Sequence, residues 1–136
     1  MKRLAAAVLL VAAHAQAATL QIEVTNVRNA RGEILVAVCT QAEFLKPTCS
    51  YKGRAPAQPG TTTVTVQNVP PGIYAVQAFQ SEDNSGKLRR SLLGVPEEGV
   101  GFSRDAPFNF GPPSFAKAAF SFGPQGGQIS FPLRYF

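Results

Sequence analysis

From residue 19 onward, apolar side chains recur at every second position, and no stretch carries them at helical spacing. Leu20, Ile22 and Val24 alternate with Gln21, Glu23 and Thr25. In extended backbone successive side chains point to opposite faces, so this pattern predicts a strand over 19–27 with one buried and one wet face. Glu33 to Thr40 sets Ile34, Val36 and Val38 against Leu35, Ala37 and Cys39. Apolar residues on both faces predict a central strand. Thr61–Gln67 and Ile73–Phe79 continue the series, with Pro70-Pro71-Gly72 turning the chain between them. Asn29-Ala30-Arg31-Gly32 reads as a hairpin turn in which Gly32 is free to adopt positive φ. Phe115–Phe122 and Gln128–Phe136 read as a closing hairpin across Gly123–Gly127. Pro132 has no N–H to donate, so the last strand is expected at an edge or a bulge. Six or seven short strands predict an all-β, two-sheet sandwich.

Two segments break the alternation. Gln41–Gly60 reads as a long polar connection carrying Pro47, Pro56 and Pro59, with one helical turn near Ala42–Leu45. Gln80–Ser114 shows no strand pattern. A long ordered loop in a small domain is commonly functional, so 80–114 is the expected working surface.

The first eighteen residues follow a different rule. Met1-Lys2-Arg3 is a basic start, Leu4–Ala13 is uninterruptedly apolar, and small residues follow at alternate positions through Ala18. That order is the pattern of a secretory signal peptide, with cleavage expected after Ala17 or Ala18. The apolar run is too short to span a bilayer, which takes about 20 residues, and no membrane span is expected in the mature chain. Residues 19–136 then form a single domain, expected to be periplasmic or secreted. Loss of Lys2 and Arg3 lowers the formal charge from +5 to +3. The remaining basic residues form no stripe with interleaved aromatics, so nucleic acid is not an expected partner. Cys39 and Cys49 are the two cysteines. An even count in an oxidising compartment predicts a structural disulfide.

At Pro70-Pro71-Gly72-Ile73-Tyr74 the chain resembles prealbumin-like and carboxypeptidase-regulatory-like β-sandwiches. The later runs sharpen the likeness. Ser81-Glu82-Asp83-Asn84-Ser85-Gly86-Lys87-Leu88, Leu93-Gly94-Val95-Pro96-Glu97-Glu98-Gly99-Val100-Gly101-Phe102-Ser103 and Pro112-Pro113-Ser114-Phe115 resemble the secreted bacterial domain-of-unknown-function family 2141. The resemblance implies an exported, transthyretin/immunoglobulin-like sandwich with no established activity. Ser81, Arg89, Val100 and Arg104 stand where that family usually has Asp, Asp, an aromatic and Asn. The matched positions Gly86, Gly94, Pro96, Glu98, Gly99, Gly101, Phe102 and Ser103 are expected to structure the loop.

The chemistry is sparse. Ser81, Asp83, Ser85 and Gly86 fall at EF-hand-like positions, which makes Asp83, Ser85 and Glu82 weak candidates for calcium. An uncharged first position, Leu92 at the twelfth and the nearby Arg89 and Arg90 argue against a site, and a polar Asx-type turn is preferred. No metal or cofactor is expected. Glu97 and Glu98 are adjacent and so point to opposite sides of an extended chain, a poor acid/base pair. Glu98 is instead expected to accept N–H bonds from Gly99-Val100-Gly101 and pin the loop. The only histidine, His14, lies in the leader, leaving no imidazole for a Ser-His or Cys-His arrangement. A Ser91/Lys87 dyad has no supporting motif. Phe102, Phe108, Phe110 and Phe115 read as a lid over one end of the sandwich, with Phe108 and Phe110 as the alternative ligand surface.

The expected role is therefore a non-catalytic binding or envelope-interaction module acting through 80–114, with an envelope protein, a glycan or a small ligand as partner. A hydrolase using the loop carboxylates and a purely structural envelope protein are the rival readings.

Overall fold

The structure, a computed structural model, describes residues 16–136; residues 1–15, most of the expected leader, lie outside the described residues. The strands are β1 (Ala18–Val27), β2 (Glu33–Cys39), β3 (Tyr51–Pro56), β4 (Gly60–Val69), β5 (Gly72–Ser81), β6 (Val100–Phe102), β7 (Phe120–Phe122) and β8 (Gly127–Pro132). A 3-10 turn covers Ser103–Asp105, and a single helical turn, α1, covers Phe115–Ala118. The strands form a three-stranded sheet, β4-β1-β8, and a five-stranded sheet, β3-β2-β5-β6 with β7 paired to β5.

The two sheets pack on one another through the residues that the alternation selects. Leu20, Ile22 and Val24 of β1, Val64 and Val66 of β4, and Phe131 of β8 meet Ile34, Val36 and Val38 of β2 and Val76 of β5, all buried. Each Val, Leu or Ile so enclosed contributes roughly 1.5–3 kcal/mol relative to exposure. The partnered polar positions Gln21, Thr63 and Thr65 face outward.

Several connections differ from the sequence expectation. Asn29–Gly32 is an arch rather than a hairpin turn, because β1 and β2 lie in different sheets. Gly32 does take positive φ, and a Cβ there would lie 1.7 Å from the Ser81 carbonyl oxygen, so the arch rests directly on the end of β5. Tyr51–Pro56, read as polar connection, is the edge strand β3, paired with β2. Its alternation is hidden by small residues: Tyr51, Gly53 and Ala55 turn inward while Lys52 and Arg54 stay exposed. The loop 80–114 contains β6, which completes its sheet against Gln77–Phe79. Phe115–Phe122 is a helical turn followed by a three-residue strand, and no hairpin forms with the last strand. Instead β7 pairs with β5, and β8 runs parallel to β1 at the edge of the other sheet, where Pro132 ends the pairing. Antiparallel hairpins need only a tight turn, whereas this pairing crosses the core and leaves no local signature.

The Pro70–Gly72 turn is held from within. Tyr74 is buried and its hydroxyl donates to the Pro70 carbonyl at 2.7 Å. The predicted central position of β2, between β3 and β5, follows from its two apolar faces. One face meets the other sheet. The second is covered by loop at Cys39 and open at Leu35 and Ala37.

Candidate functional site

The β1–β2 arch, the end of β5 and the loop after it meet at one end of the sandwich, around two buried carboxylates. Glu82 has a side chain 2% exposed and pairs with Arg28, whose Nε lies 2.9 Å from Oε1 and whose Nη2 also contacts that oxygen. Asn29 donates to Oε2 at 3.2 Å, and Arg31 approaches it at 3.5 Å. Burial pushes the Glu82 carboxyl pKa up, but the hydrogen bonds from Arg28 and Asn29 and the two guanidinium charges outweigh it, so the pKa is lowered. Beside it, the fully buried Gln80 amide donates to Asn29 Oδ1 and the Arg31 carbonyl, both at 2.8 Å. Arg28 also stacks over the Tyr135 ring at 4.8 Å, and the Tyr135 hydroxyl accepts the Arg28 N–H while donating to Asn26.

Glu98 is wholly buried and pins the loop, though not through the glycine run. Its oxygens accept the backbone N–H groups of Glu82 at 2.7 Å and Arg89 at 2.9 Å. The glycines serve close approach instead: a Cβ on Gly101 would lie 2.4 Å from the Pro132 carbonyl oxygen. Glu97, the neighbour of Glu98, is exposed, so the two carboxylates face opposite ways. Between Arg89 and Glu97 the chain folds back on itself, with Arg90 bridged to Pro96 and Gly94 N–H donating to Ser91. Leu92 and Leu93 occupy the tip of this turn and are fully exposed. Gly94, at φ +81°, closes it.

The candidate calcium loop is a self-contained turn. Asp83 Oδ1 accepts from Ser85 N–H at 3.0 Å, and Ser81 Oγ accepts from Gly86 N–H at 3.0 Å. The Ser85 bonds hold the exposed Asp83 carboxyl below its ordinary pKa. Glu82 turns inward toward Arg28, away from Asp83 and Ser85. Among the described residues no group of three or more His, Cys, Asp or Glu is placed to hold a metal ion.

Ser103 is buried between layers: its Oγ accepts the Val76 N–H at 2.9 Å and donates to the Ala118 carbonyl at 2.6 Å. It fastens the loop over the outer face of the five-stranded sheet. There Phe44, Phe102 and Phe115 meet edge to face, above Cys39 and Ala75. Phe108 is half-buried and packs on Phe136, with ring centroids 5.1 Å apart. Phe110 departs from the lid expectation, being fully exposed. The predicted disulfide joins Cys39 to Cys49. No helix among the described residues is long and apolar enough to cross a membrane.

Sequence reasoning located Glu82, Glu98, Ser103 and the phenylalanines but missed Arg28, Asn29, Gln80 and Tyr135. Gln80 lies on β5 two residues before Glu82, but Arg28 and Asn29 reach it only because the chain crosses from β1 into the second sheet, and Tyr135 only because the segment after β8 returns to Arg28.

Fold and site together define a disulfide-bonded, two-sheet β protein in which an ordered loop covers part of one sheet and closes on buried ion pairs. The family described as an uncharacterized protein conserved in bacteria (DUF2141) matches residues 22–130, and the chain belongs to it. No curated protein and no solved structure matches the chain.

Proposed function

We propose that the protein is an exported, non-catalytic binding module of the bacterial envelope, periplasmic or secreted, that uses the 80–114 segment as its contact surface. The observation that carries this reading is the Arg89–Glu97 turn. Its base is anchored by Glu98, while its tip holds Leu92 and Leu93 fully in solvent beside Arg89 and Arg90. Two large apolar side chains presented on a well-bonded turn mark a contact surface better than a core defect. The buried carboxylates that a hydrolase would use are each committed, Glu82 to Arg28 and Glu98 to backbone N–H groups. The disulfide favours an oxidising compartment, as does the basic, then apolar, then small-residue order of residues 1–18.

Affinity capture from envelope extract tests the reading. Wild type is expected to retain an envelope component that the doubly substituted Leu92→Ser/Leu93→Ser protein loses, with unchanged melting of the variant. Identical capture by both would overturn it.

A further inference from the structure

The outer face of the five-stranded sheet is only half covered. Strand register lays its outward residues in two rows: Arg54, Leu35 and Phe79 in one, and Lys52, Ala37 and Gln77 in the next. Phe79 pairs onward with Val100 and Gln77 with Phe102. Over Val100 and Phe102 the loop closes, leaving a hollow of about 270 Å³ lined by Leu88, Phe108 and Pro112 among others. Over β2 and β3 it does not close. An open groove of about 560 Å³ remains, floored by Leu35, Ala37 and Phe79 and walled by Lys46, Lys52 and Arg54. Gln77 and Phe79 border both spaces.

The charge in this groove is one-sided. Among the described residues, the ion pairs of the three cations reduce to one contact, Arg54 with Glu33 at 4.0 Å. Lys52 donates only to the Pro47 carbonyl, at 3.0 Å. Surface ion pairs at such distance contribute little, so the groove presents nearly unneutralised positive charge to whatever lies on its apolar floor. A pocket of this size, mostly apolar with a few convergent charged groups, is the usual form of a small-molecule site.

We infer that this groove binds a single-chain acyl carboxylate, with the anionic head at Lys46, Lys52 and Arg54 and the chain lying over Leu35, Ala37 and Phe79 toward the hollow beneath the loop. A neutral apolar ligand would leave the cations without partners, and a small anion would leave the floor wet. The amphipathic anion matches both features at once. The inference does not depend on the Leu92–Leu93 turn.

Titration calorimetry of the purified protein with dodecanoate, below the concentration at which it forms micelles, tests the site. Dodecanoate is expected to bind one to one. Butyrate, which lacks the chain, and dodecyltrimethylammonium, which reverses the charge, are each expected to bind at least tenfold more weakly. The Lys46→Glu/Lys52→Glu protein, altered only at exposed positions, is expected to melt as wild type and lose at least tenfold in dodecanoate affinity. The Leu92→Ser/Leu93→Ser protein should bind dodecanoate unchanged, which separates this site from the contact surface proposed above. Absence of dodecanoate binding, equal binding of the cationic amphiphile, or unchanged affinity in the lysine variant would overturn the inference.

Discussion

Burying the Glu82 carboxylate is unfavourable by itself, and Arg28, Asn29 and Arg31 reverse the sign. Its pKa is therefore lower in the folded protein than in the unfolded chain, where glutamate titrates near about 4.3. The folded state binds the proton less readily, so the stabilisation is complete above that unfolded value and is lost as pH falls through the folded one. Denaturant titrations across the acid range are expected to show wild type losing stability more steeply than Glu82→Gln below about pH 5. At neutral pH the variant should be less stable by about 2 kcal/mol, the scale of hydrogen bonds to a charged group. Parallel acid limbs for the two proteins would contradict the pairing. Asp83 and Glu43, both held below their ordinary pKa by local hydrogen bonds, keep some acid sensitivity in either protein. The partners of Asp83 are local, but the partner of Glu82 is not visible in the sequence around it. Glu82 and Arg28 are 54 residues apart, and nothing local in either segment specifies the other.

At the scale of elements, the segment 41–50 illustrates a covalent restraint on an otherwise polar connection. Its turn donates Phe44 N–H to Thr40 and places the Phe44 ring against Phe102 and Phe115. The Cys39–Cys49 bridge closes that loop at the end of β2. Closing a loop of this length stabilises by about 2.5–3 kcal/mol in the chain-entropy model. The Cys39→Ala/Cys49→Ala protein should melt roughly 10 °C below wild type. Reductant should lower the melting temperature of wild type and leave the variant unaffected. Equal melting of oxidised wild type and the variant would show that the bridge adds nothing. Turn and bridge were both foreseeable, because cysteine count and helix-compatible residues are local facts. β3 was not. Its inward positions include Gly53 and Ala55, whose small side chains give no apolar signal, and its outward positions are the cations Lys52 and Arg54.

At the scale of the whole molecule, the C-terminal residues join the two sheets. Leu133 is fully buried, the Arg134 backbone exchanges hydrogen bonds with Val100 in both directions at 2.8 and 3.0 Å, and Tyr135 bonds Asn26. Removing Leu133–Phe136 would delete a core side chain, a change that by itself costs about 2–5 kcal/mol for a buried leucine. It would also leave Val100 without its bridge. The truncated chain is expected to lose cooperative thermal melting by circular dichroism; a sharp transition near that of the full chain would refute this role. The sequence alone determined that the chain is all-β, which faces of β1 and β4 enter the core, that β2 is central with two apolar faces, that the last strand lies at an edge or a bulge, and that Cys39 and Cys49 pair. These depend on alternation, on the missing N–H of proline and on cysteine chemistry, all properties of adjacent residues. Only the tertiary structure decided that 29–32 arches between sheets, that β8 pairs in parallel with β1, that β7 joins β5, and that Glu98 holds Glu82 and Arg89. Such pairings join residues far apart in the chain, and they are selected by which surfaces the sheets bury together, a quantity no single segment contains.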